Sequence, residues 1–360
     1  MDQPALVYFD RNENRYGPAP ACMQVLRQAD NDVLCNYSRA FQHGYYSELS
    51  ARLADRHGLD EKRIILGYGC EDILKEAVHH FLPAGHTVLI PSASWWYYHS
   101  VAAEVGGVTV EYPLRPAKDR YEYDVEALIR LRETAKPSLV LLASPNNPTG
   151  NSLSRADLRR LLEAYRGVPF VLDQAYYGFV PSGPDDYSAL VAEFDNLLIL
   201  RTFSKLYALA GARIGYAMCG SGMADFKRFC ARNLGYNRLS ERLALAALDS
   251  QEYYGRVAAG MSRSRQRLYE LFRSFPGCEI YESEANFVLV KMPTEMAAHL
   301  ERELVARGLI VKFLKEPGFL DHARISLGND AETDHLIETI RSLVAGTGTG
   351  AGVKAREEPA

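Results

Sequence analysis

The sequence lacks the features that mark secreted, membrane-spanning and nucleic-acid-binding proteins. It has no Cys-x-x-Cys pair, and its six cysteines are scattered without the spacing of metal ligands, so we expect reduced thiols and no metal site. No apolar run approaches the ~20 residues that cross a bilayer. A net charge of -4 argues against a nucleic-acid partner. The N-terminus shows no signal-peptide pattern, so we expect a cytoplasmic protein.

What the sequence does contain is a regular alternation of short apolar runs and helical patterns through its first 250 residues. The runs are near-continuously apolar rather than alternating, as in strands covered on both faces. Ser154 is expected to cap a helix over residues 155–165. This order predicts an α/β domain with a mostly parallel, seven-stranded sheet flanked by helices. The predicted strands are 63–67, 87–90, 108–112, 138–143, 169–173, 197–200 and 214–218.

From about residue 250 the pattern changes to a long helix followed by mixed strands and helices. It predicts a smaller α+β domain with strands at 278–281, 286–291 and 324–327 and helices at 254–275, 294–307 and 331–344. We expect residues 1–31 to form an arm that packs on the small domain. The large domain is placed at 32–250, the small one at 251–345, and a disordered Gly-rich tail at 346–360.

The stretch Arg201–Tyr216 gives the strongest indication of chemistry. Lys205 follows the apolar run 197–200, Ser204 precedes it, and Arg213 comes eight residues later among small residues. An isolated lysine is usually a solvated surface charge. Here an amine that can bond to an aldehyde stands beside a Ser/Arg pair suited to a phosphate, which indicates pyridoxal 5'-phosphate (PLP) held through Lys205. Thr202 is expected to contact the same cofactor.

Three polar residues follow the ends of predicted strands, where open α/β sheets bind ligands. Asp173 is either a structural cap or ion pair, or the partner of a protonated pyridine nitrogen, because a buried acid is costly alone. Tyr176 is expected to donate a hydrogen bond to the cofactor's phenolate oxygen, unless it simply fills the core. Asn147, in Asn-Asn-Pro-Thr-Gly, would present its amide to that oxygen, although the same dipeptides mark an ordinary turn.

Other residues supply the remaining contacts that PLP needs. Gly69, Cys70 and Glu71 lead from a strand into a helix, and their main-chain N–H groups would hold the phosphate. Trp95 is expected to stack on the pyridine ring, although a run of four aromatic residues usually fills a core or an interface. Arg324, at the start of a strand, is expected to pair with a substrate carboxylate.

These residues, in this order, resemble the class I/II PLP-dependent aminotransferases of fold type I, most closely the histidinol-phosphate aminotransferase-like branch. The resemblance covers about residues 7–345. The segment Asp10–Pro18 is similar to the family's N-terminal arm, which implies that Asn14 and Tyr16 contact substrate. Tyr37 aligns with a tyrosine that reaches the phosphate of the neighbouring subunit, which implies a homodimer with shared active sites.

The resemblance implies transfer of an amino group between an amino acid or amine and a 2-oxo acid. Lys205 would then act as general base, and an aromatic or phosphorylated substrate is expected. The chain departs from the family pattern at Arg15, Cys70, Gln174 and 232–238. Two other readings stay open: a PLP-dependent decarboxylase or cyclase similar to threonine-phosphate decarboxylase, and an inactive ligand sensor. No helix-turn-helix pattern accompanies the matched region to support the sensor.

Overall fold

The computed structural model describes residues 5–180, 186–232 and 234–346. Its strands are β1 (Val7–Phe9), β2 (Ile64–Gly67), β3 (Thr87–Pro91), β4 (Val108–Tyr112), β5 (Leu114–Pro116), β6 (Tyr121–Tyr123), β7 (Leu139–Ala143), β8 (Phe170–Asp173), β9 (Leu197–Thr202), β10 (Gly215–Cys219), β11 (Glu279–Tyr281), β12 (Phe287–Lys291), β13 (Leu309–Phe313) and β14 (His322–Ser326). Its helices are α1 (Pro20–Arg27), α2 (Asn31–Cys35), α3 (Glu48–His57), α4 (Cys70–Phe81), α5 (Tyr97–Glu104), α6 (Val125–Ala135), α7 (Arg155–Ala164), α8 (Leu190–Glu193), α9 (Ala224–Phe229), α10 (Arg238–Asp249), α11 (Gln251–Arg273), α12 (Thr294–Ala306) and α13 (Asp330–Gly346).

The large sheet has the strand order β2-β10-β9-β8-β7-β3-β4. Its seven strands are the seven that the sequence predicts, with small differences at their ends. β10 runs antiparallel to β2 and β9, while β3, β4, β7, β8 and β9 pair in parallel. Helices α4 and α5 cover one face and α3, α6, α7 and α10 the other. The prediction of a mostly parallel, helix-flanked sheet is therefore confirmed.

The smaller sheet has five strands in the order β1-β13-β14-β12-β11. The sequence predicts β11, β12 and β14 but misses β13 and β1. In β13 the side chains of Leu309, Val311 and Phe313 are buried while Lys312 is exposed. The sequence of β13 therefore contains a signal from which the strand could have been predicted. β1 has only three residues and pairs in parallel with β13, a contact that no local periodicity reveals.

The N-terminal segment contacts both parts of the molecule. β1 joins the small sheet, but α1 packs on α10 of the large part, and the Ala19 N–H donates a hydrogen bond to Tyr254 Oη at 3.0 Å. The boundaries proposed at residues 31, 250 and 345 remain predictions. Of the expected tail, Gly346 ends α13 and residues 347–360 lie outside the described part. None of the described helices combines the length and apolarity needed to cross a membrane.

Candidate active site

Loops at one edge of the large sheet bring the main predicted residues together. Asp173 is the last residue of β8, and Asn147 follows the neighbouring strand β7. Lys205 comes shortly after β9, which flanks β8 on its other side. Gly69 separates β2 from α4. Because β7, β8 and β9 are parallel, their carboxyl ends form the edge at which such sheets bind ligands.

Asp173 is a buried carboxylate with both oxygens hydrogen bonded. Its Oδ2 accepts from Tyr98 Oη at 2.8 Å, and its Oδ1 accepts from the Ala175 N–H at 2.9 Å. Burial raises the pKa of Asp173, although both hydrogen bonds and the charge of Lys205 act in the opposite direction. A carboxylate in such a place is stabilised by an adjacent cation, and a protonated pyridine nitrogen would supply one.

The amine of Lys205 lies close to this acid. Its Nζ donates to the backbone carbonyl of Arg11 at 3.1 Å and lies 5.6 Å from the centre of the Tyr176 ring. The charge of Lys205 acts on the pKa values of both Asp173 and Cys70. Among the described residues no carboxylate lies within 4.0 Å of Nζ. The amine is therefore held by a neutral partner that a ligand can replace.

A second set of contacts joins the arm to the site. Tyr176 Oη accepts a hydrogen bond from Asn12 Nδ2 at 2.9 Å. Arg324 donates from Nη1 to Asn147 Oδ1 at 2.6 Å and from Nη2 to the Asp10 carbonyl. Burial lowers the pKa of Arg324, and its Nε has no hydrogen-bond partner within the described chain. A carboxylate would give this guanidinium a charged, two-pronged acceptor in place of a neutral carbonyl.

The start of α4 forms an anion cradle with Arg213. Gly69, the residue before the helix, has φ 88° and ψ 165°, a backbone region open essentially only to glycine. A Cβ on Gly69 would lie 2.8 Å from Arg213 Nη2. The same nitrogen donates to the Tyr68 carbonyl at 3.3 Å and lies 3.4 Å from Glu71. Main-chain N–H groups at a helix start, together with a guanidinium, suit a phosphate.

Two hydroxyl groups extend the cradle. Thr202 Oγ1 lies 3.0 Å from Ser204 Oγ and accepts from the Ser204 N–H at 3.1 Å. Burial raises the pKa of the Cys70 thiol well above its usual value, while Thr202, Lys205 and Arg213 act in the opposite direction. The thiol is therefore protonated at neutral pH. Thr202, Lys205 and Arg213 therefore all lie near the Cys70 thiol.

Trp95 and Asn14 lie at the margin of the cluster. The ring of Trp95 is 6.1 Å, centre to centre, from that of Tyr98 in an edge-on arrangement. Trp95 therefore packs against the residue that holds Asp173. Asn14 is buried and donates from Nδ2 to the Leu206 carbonyl at 2.7 Å. Both positions agree with contact to a ligand, and both roles remain predictions.

Tyr16 and Tyr37 lie apart from the cluster. Tyr16 donates from Oη to Asp330 Oδ1 at 3.4 Å, which directs its hydroxyl towards the start of α13. Tyr37 is 69 % exposed and belongs to no contact described above. The predicted substrate contact of Tyr16 and the predicted role of Tyr37 in a neighbouring subunit are not visible within one chain.

Sequence reasoning missed several residues that complete the site. Tyr98 belongs to the aromatic run 95–98, from which only Trp95 was selected, yet it is Tyr98 that touches Asp173. Asn12 stands inside the recognised arm motif and holds Tyr176. The main-chain carbonyls of Asp10 and Arg11 carry no sequence signal, because any residue supplies the same group.

The departures from the family pattern have partners within the chain. Arg15 forms an ion pair with Glu332 at 2.8 Å. Gln174 accepts from Arg201 at 3.0 and 2.9 Å. Arg232 pairs with acidic residues of α4. These positive charges are therefore largely neutralised before any substrate binds.

The residues present fit PLP. Asp173 is a buried acid that lacks a strong cationic partner, and Lys205 supplies an amine near it. A glycine cradle that a Cβ would fill stands at the start of α4, beside Arg213. Tyr176 and Asn147 supply polar groups on the remaining side. The arrangement can hold a ring with a phosphate at one end, a basic nitrogen and an aldehyde.

Comparison with known proteins agrees with this geometry. The family model described as aminotransferase class I and II matches residues 4–340. Histidinol-phosphate aminotransferase 2 of Archaeoglobus fulgidus is 32% identical over 339 residues, which cover 94% of this chain and 93% of that protein. The crystal structure of histidinol-phosphate aminotransferase from Sinorhizobium meliloti in complex with PLP has a TM-score of 0.82 at 30% identity, covering 94% of this chain and 92% of that chain.

A further solved structure shares the fold alone. L-threonine-O-3-phosphate decarboxylase from Porphyromonas gingivalis has a TM-score of 0.74 at 19% identity, covering 94% of this chain and all of that chain. At 19% identity this likeness does not indicate which reaction the chain catalyses. The family model and the relatives at 30% identity or more indicate amino transfer. The chain belongs to the aminotransferase class I and II family and is a PLP-dependent aminotransferase of fold type I, in the histidinol-phosphate aminotransferase-like branch.

Proposed function

We propose that Lys205 and Asp173 are the catalytic pair of this aminotransferase. The observation that carries the proposal is the position of an amine near a buried acid, whose pKa the lysine charge acts to lower, at the carboxyl edge of the large sheet. Lys205 would hold PLP covalently through Nζ, and Asp173 would keep the pyridine nitrogen protonated. When bound, PLP supplies a ring that accepts electrons from the substrate's α-carbon.

The chain's own groups divide the remaining work. Nζ of Lys205 would take the proton from the substrate α-carbon. Tyr176 and Asn147 would donate to the ring oxygen of the cofactor, and Trp95 would pack against its ring. Arg324 would bind the substrate carboxylate. Its hydrogen bond to the Asp10 carbonyl would break when the carboxylate binds.

The phosphate would be held at the start of α4. Arg213 exchanges its long contact with Glu71, 3.4 Å in length, for a stronger bond to the phosphate. The main-chain N–H groups of Gly69, Cys70 and Glu71 and the side chains of Thr202 and Ser204 complete the set.

The finer substrate and the assembly belong to the same proposal. We propose an aromatic or phosphorylated amino donor with a 2-oxo acid acceptor, supported by relatives named for histidinol phosphate and by the half-exposed Trp95. Asn14 and Tyr16 would contact this donor. The site would lie between domains 32–250 and 251–345, and Tyr37 of a second copy would complete it in a cytoplasmic homodimer.

The test is the Lys205→Ala variant with Lys75→Ala as control, since Lys75 is an exposed lysine outside the site. One portion of the purified, PLP-loaded enzyme is reduced with borohydride, and a second, unreduced portion is incubated with amino donors and 2-oxoglutarate. We expect the wild type and the control to form a borohydride-fixed chromophore and to release glutamate. Lys205→Ala should do neither. Release of carbon dioxide instead of glutamate would favour a decarboxylase, and full turnover by Lys205→Ala would contradict the assignment.

A further inference from the structure

A second cleft, of about 510 Å³, lies away from the proposed active site. One wall is formed by the hairpin β5–β6 and the loop 150–154, and the other by α11 and the loop 282–284. None of the residues assigned above to cofactor or substrate lines it. Its volume falls within the roughly 300–1,000 Å³ typical of small-molecule sites.

Arg265 lines this cleft without an acidic partner. It is buried, with donated hydrogen bonds to the backbone carbonyls of Ala285 at 2.9 Å and Phe179 at 3.4 Å. No carboxylate oxygen of the described residues lies within 4.0 Å of its guanidinium, and its Nε has no hydrogen-bond partner. A buried cation without a counter-ion is costly, and burial lowers the pKa of Arg265.

Two further polar atoms of the lining are also without partners. Asn151 Nδ2 and Ser152 Oγ, both in the loop after β7, make no hydrogen bond within the described chain. Buried donors are normally satisfied by protein, water or ligand. With Arg265 Nε, three donor groups of the lining have no hydrogen-bond partner among the described residues.

Carboxylates that face the same cleft are unpaired as well. Glu282 and Glu284 belong to no ion pair of the described residues. The charge of Glu284 acts on the pKa of Arg265, yet the two groups are more than 4.0 Å apart. Arg120, by contrast, pairs with Glu122 at 2.9 Å. Among the described residues that line the cleft, Arg265 is thus a cation without an ion pair, and Glu282 and Glu284 are anions without one.

We propose that this cleft binds an α-amino acid as a zwitterion, with its carboxylate on Arg265 and its ammonium group on Glu284. A simple anion would meet the acidic residues, and a simple cation would meet Arg265. A zwitterion satisfies both charges across the gap. Tyr121 and Tyr269, both largely buried in the lining, supply apolar surface for the ligand's side chain.

The site is placed to influence the active centre. The loop that lines it begins just after Asn147, which holds Arg324. Gly150 of that loop accepts a hydrogen bond from the Glu284 N–H at 2.8 Å, and a Cβ on Gly150 would lie 2.3 Å from Ser283 Oγ. An amino acid in the cleft would contact both of these segments and so further restrict the position of Asn147 against Arg324. We expect it to change the KM of the reaction.

The experiment uses holoenzyme treated with borohydride, in which amino acids no longer react with the fixed cofactor. Equilibrium dialysis against each common α-amino acid should reveal at least one that binds with a stoichiometry of about one per chain. Glu284→Gln and Arg265→Lys should each weaken that binding about tenfold or more, as should removal of the ligand's amino or carboxyl group. Glu295→Gln, an exposed change on α12, should leave it unchanged.

Absence of any such binding would overturn the proposal. So would binding that Glu284→Gln leaves intact, because a ligand held only at the active centre does not contact this residue. If succinate bound equally well, the cleft would be a site for simple anions, and the assignment to a zwitterion would be wrong. If Arg265→Lys does not fold, Glu284→Gln, at a half-buried loop position, decides the question by itself.

Discussion

Asp173 depends on two neighbours for its position and its charge. The Tyr98 hydroxyl and the Ala175 N–H each hold one carboxylate oxygen, and both favour the ionised form against the effect of burial. Tyr98 is itself buried, and burial raises the pKa of its hydroxyl, so it acts as a hydrogen-bond donor at neutral pH. These two hydrogen bonds therefore help to keep the Asp173 carboxylate ionised in a buried environment.

Tyr98→Phe tests this dependence. Loss of a hydrogen bond to a charged acceptor costs about 1.5–3 kcal/mol, so we expect kcat to fall about tenfold or more and PLP to bind more weakly. With only the hydrogen bond from the Ala175 N–H left, the ionised form of Asp173 is stabilised less than in the wild type. The pKa of Asp173 therefore rises further. As pH falls, activity should therefore be lost at a higher pH than in the wild type, which a kcat/KM profile against pH measures.

Tyr112→Phe is the matched control for that variant. Tyr112 is also fully buried, and its hydroxyl donates to the Leu141 carbonyl at 2.7 Å, outside the site. It should lower the free energy of unfolding without moving the acid limb of the profile. The same shift of that limb in both variants would contradict a specific role for Tyr98.

Gly69→Ala tests the phosphate cradle. The change forces a side chain into a backbone region reserved for glycine and places a Cβ 2.8 Å from Arg213 Nη2, so we expect PLP affinity to fall by about tenfold or more, in line with a strained backbone cost of 1–3 kcal/mol. Gly85→Ala is the control, because Gly85 also has positive φ (77°) but nothing within 4 Å of an added Cβ. Gly85→Ala should lower the free energy of unfolding and leave PLP affinity unchanged. Equal PLP affinity in both variants would contradict the assignment of the phosphate to the start of α4.

At the scale of elements, the sequence predicts what local patterns encode. The seven strands of the large sheet are mostly apolar, and Ser154 caps α7 as expected by accepting from the Asp157 N–H at 3.0 Å. The pairing of β1 with β13 and the bond from Tyr98 to Asp173 are not encoded locally, because each joins residues far apart in the chain. The candidate site was therefore predictable where it follows strand ends, and hidden where distant segments meet.

The packing of α3 on β10 gives a pH-dependent stability. His57, the last residue of α3, lies 3.1 Å from Tyr216 Oη of β10. Burial, Arg201 and Arg56 lower the pKa of His57 to about 4, against the opposing charge of Asp186. The folded protein thus keeps His57 neutral at a pH at which the unfolded chain protonates it.

His57→Gln should therefore remove part of the loss of stability in acid. In the wild type, the unfolded chain binds the extra proton below about pH 6.5, so stability falls as pH drops from there towards 4 by up to ~3 kcal/mol. Urea unfolding at pH 7.5 and 5 measures this difference. The variant should show a smaller difference than the wild type, with His43→Gln, a change in a 3-10 turn, as control. An unchanged pH dependence in His57→Gln would contradict the assignment.

At the scale of the whole molecule, several large apolar side chains in the first part of the chain are exposed. Leu34, Tyr37 and Tyr46 are 73%, 69% and 62% exposed, and Tyr68, next to the phosphate cradle, is 43% exposed. Exposed apolar side chains favour contact with another protein surface where they form a continuous patch. The proposed homodimer would cover them and bring Tyr37 to the neighbouring cradle, which explains why a single chain leaves this tyrosine without a role.

Mixing two inactive variants tests that arrangement. Light scattering should give about twice the 40.3 kDa of one chain. Lys205→Ala should be inactive, and Tyr37→Ala should be inactive at limiting PLP, with Tyr46→Ala as an active control. After unfolding and refolding together, half of the dimers should be mixed and carry one intact site, so about a quarter of wild-type activity should return. This follows only if Tyr37 serves the partner's site, because a tyrosine acting within its own chain would leave both sites of every mixed dimer defective, and the mixture would stay inactive.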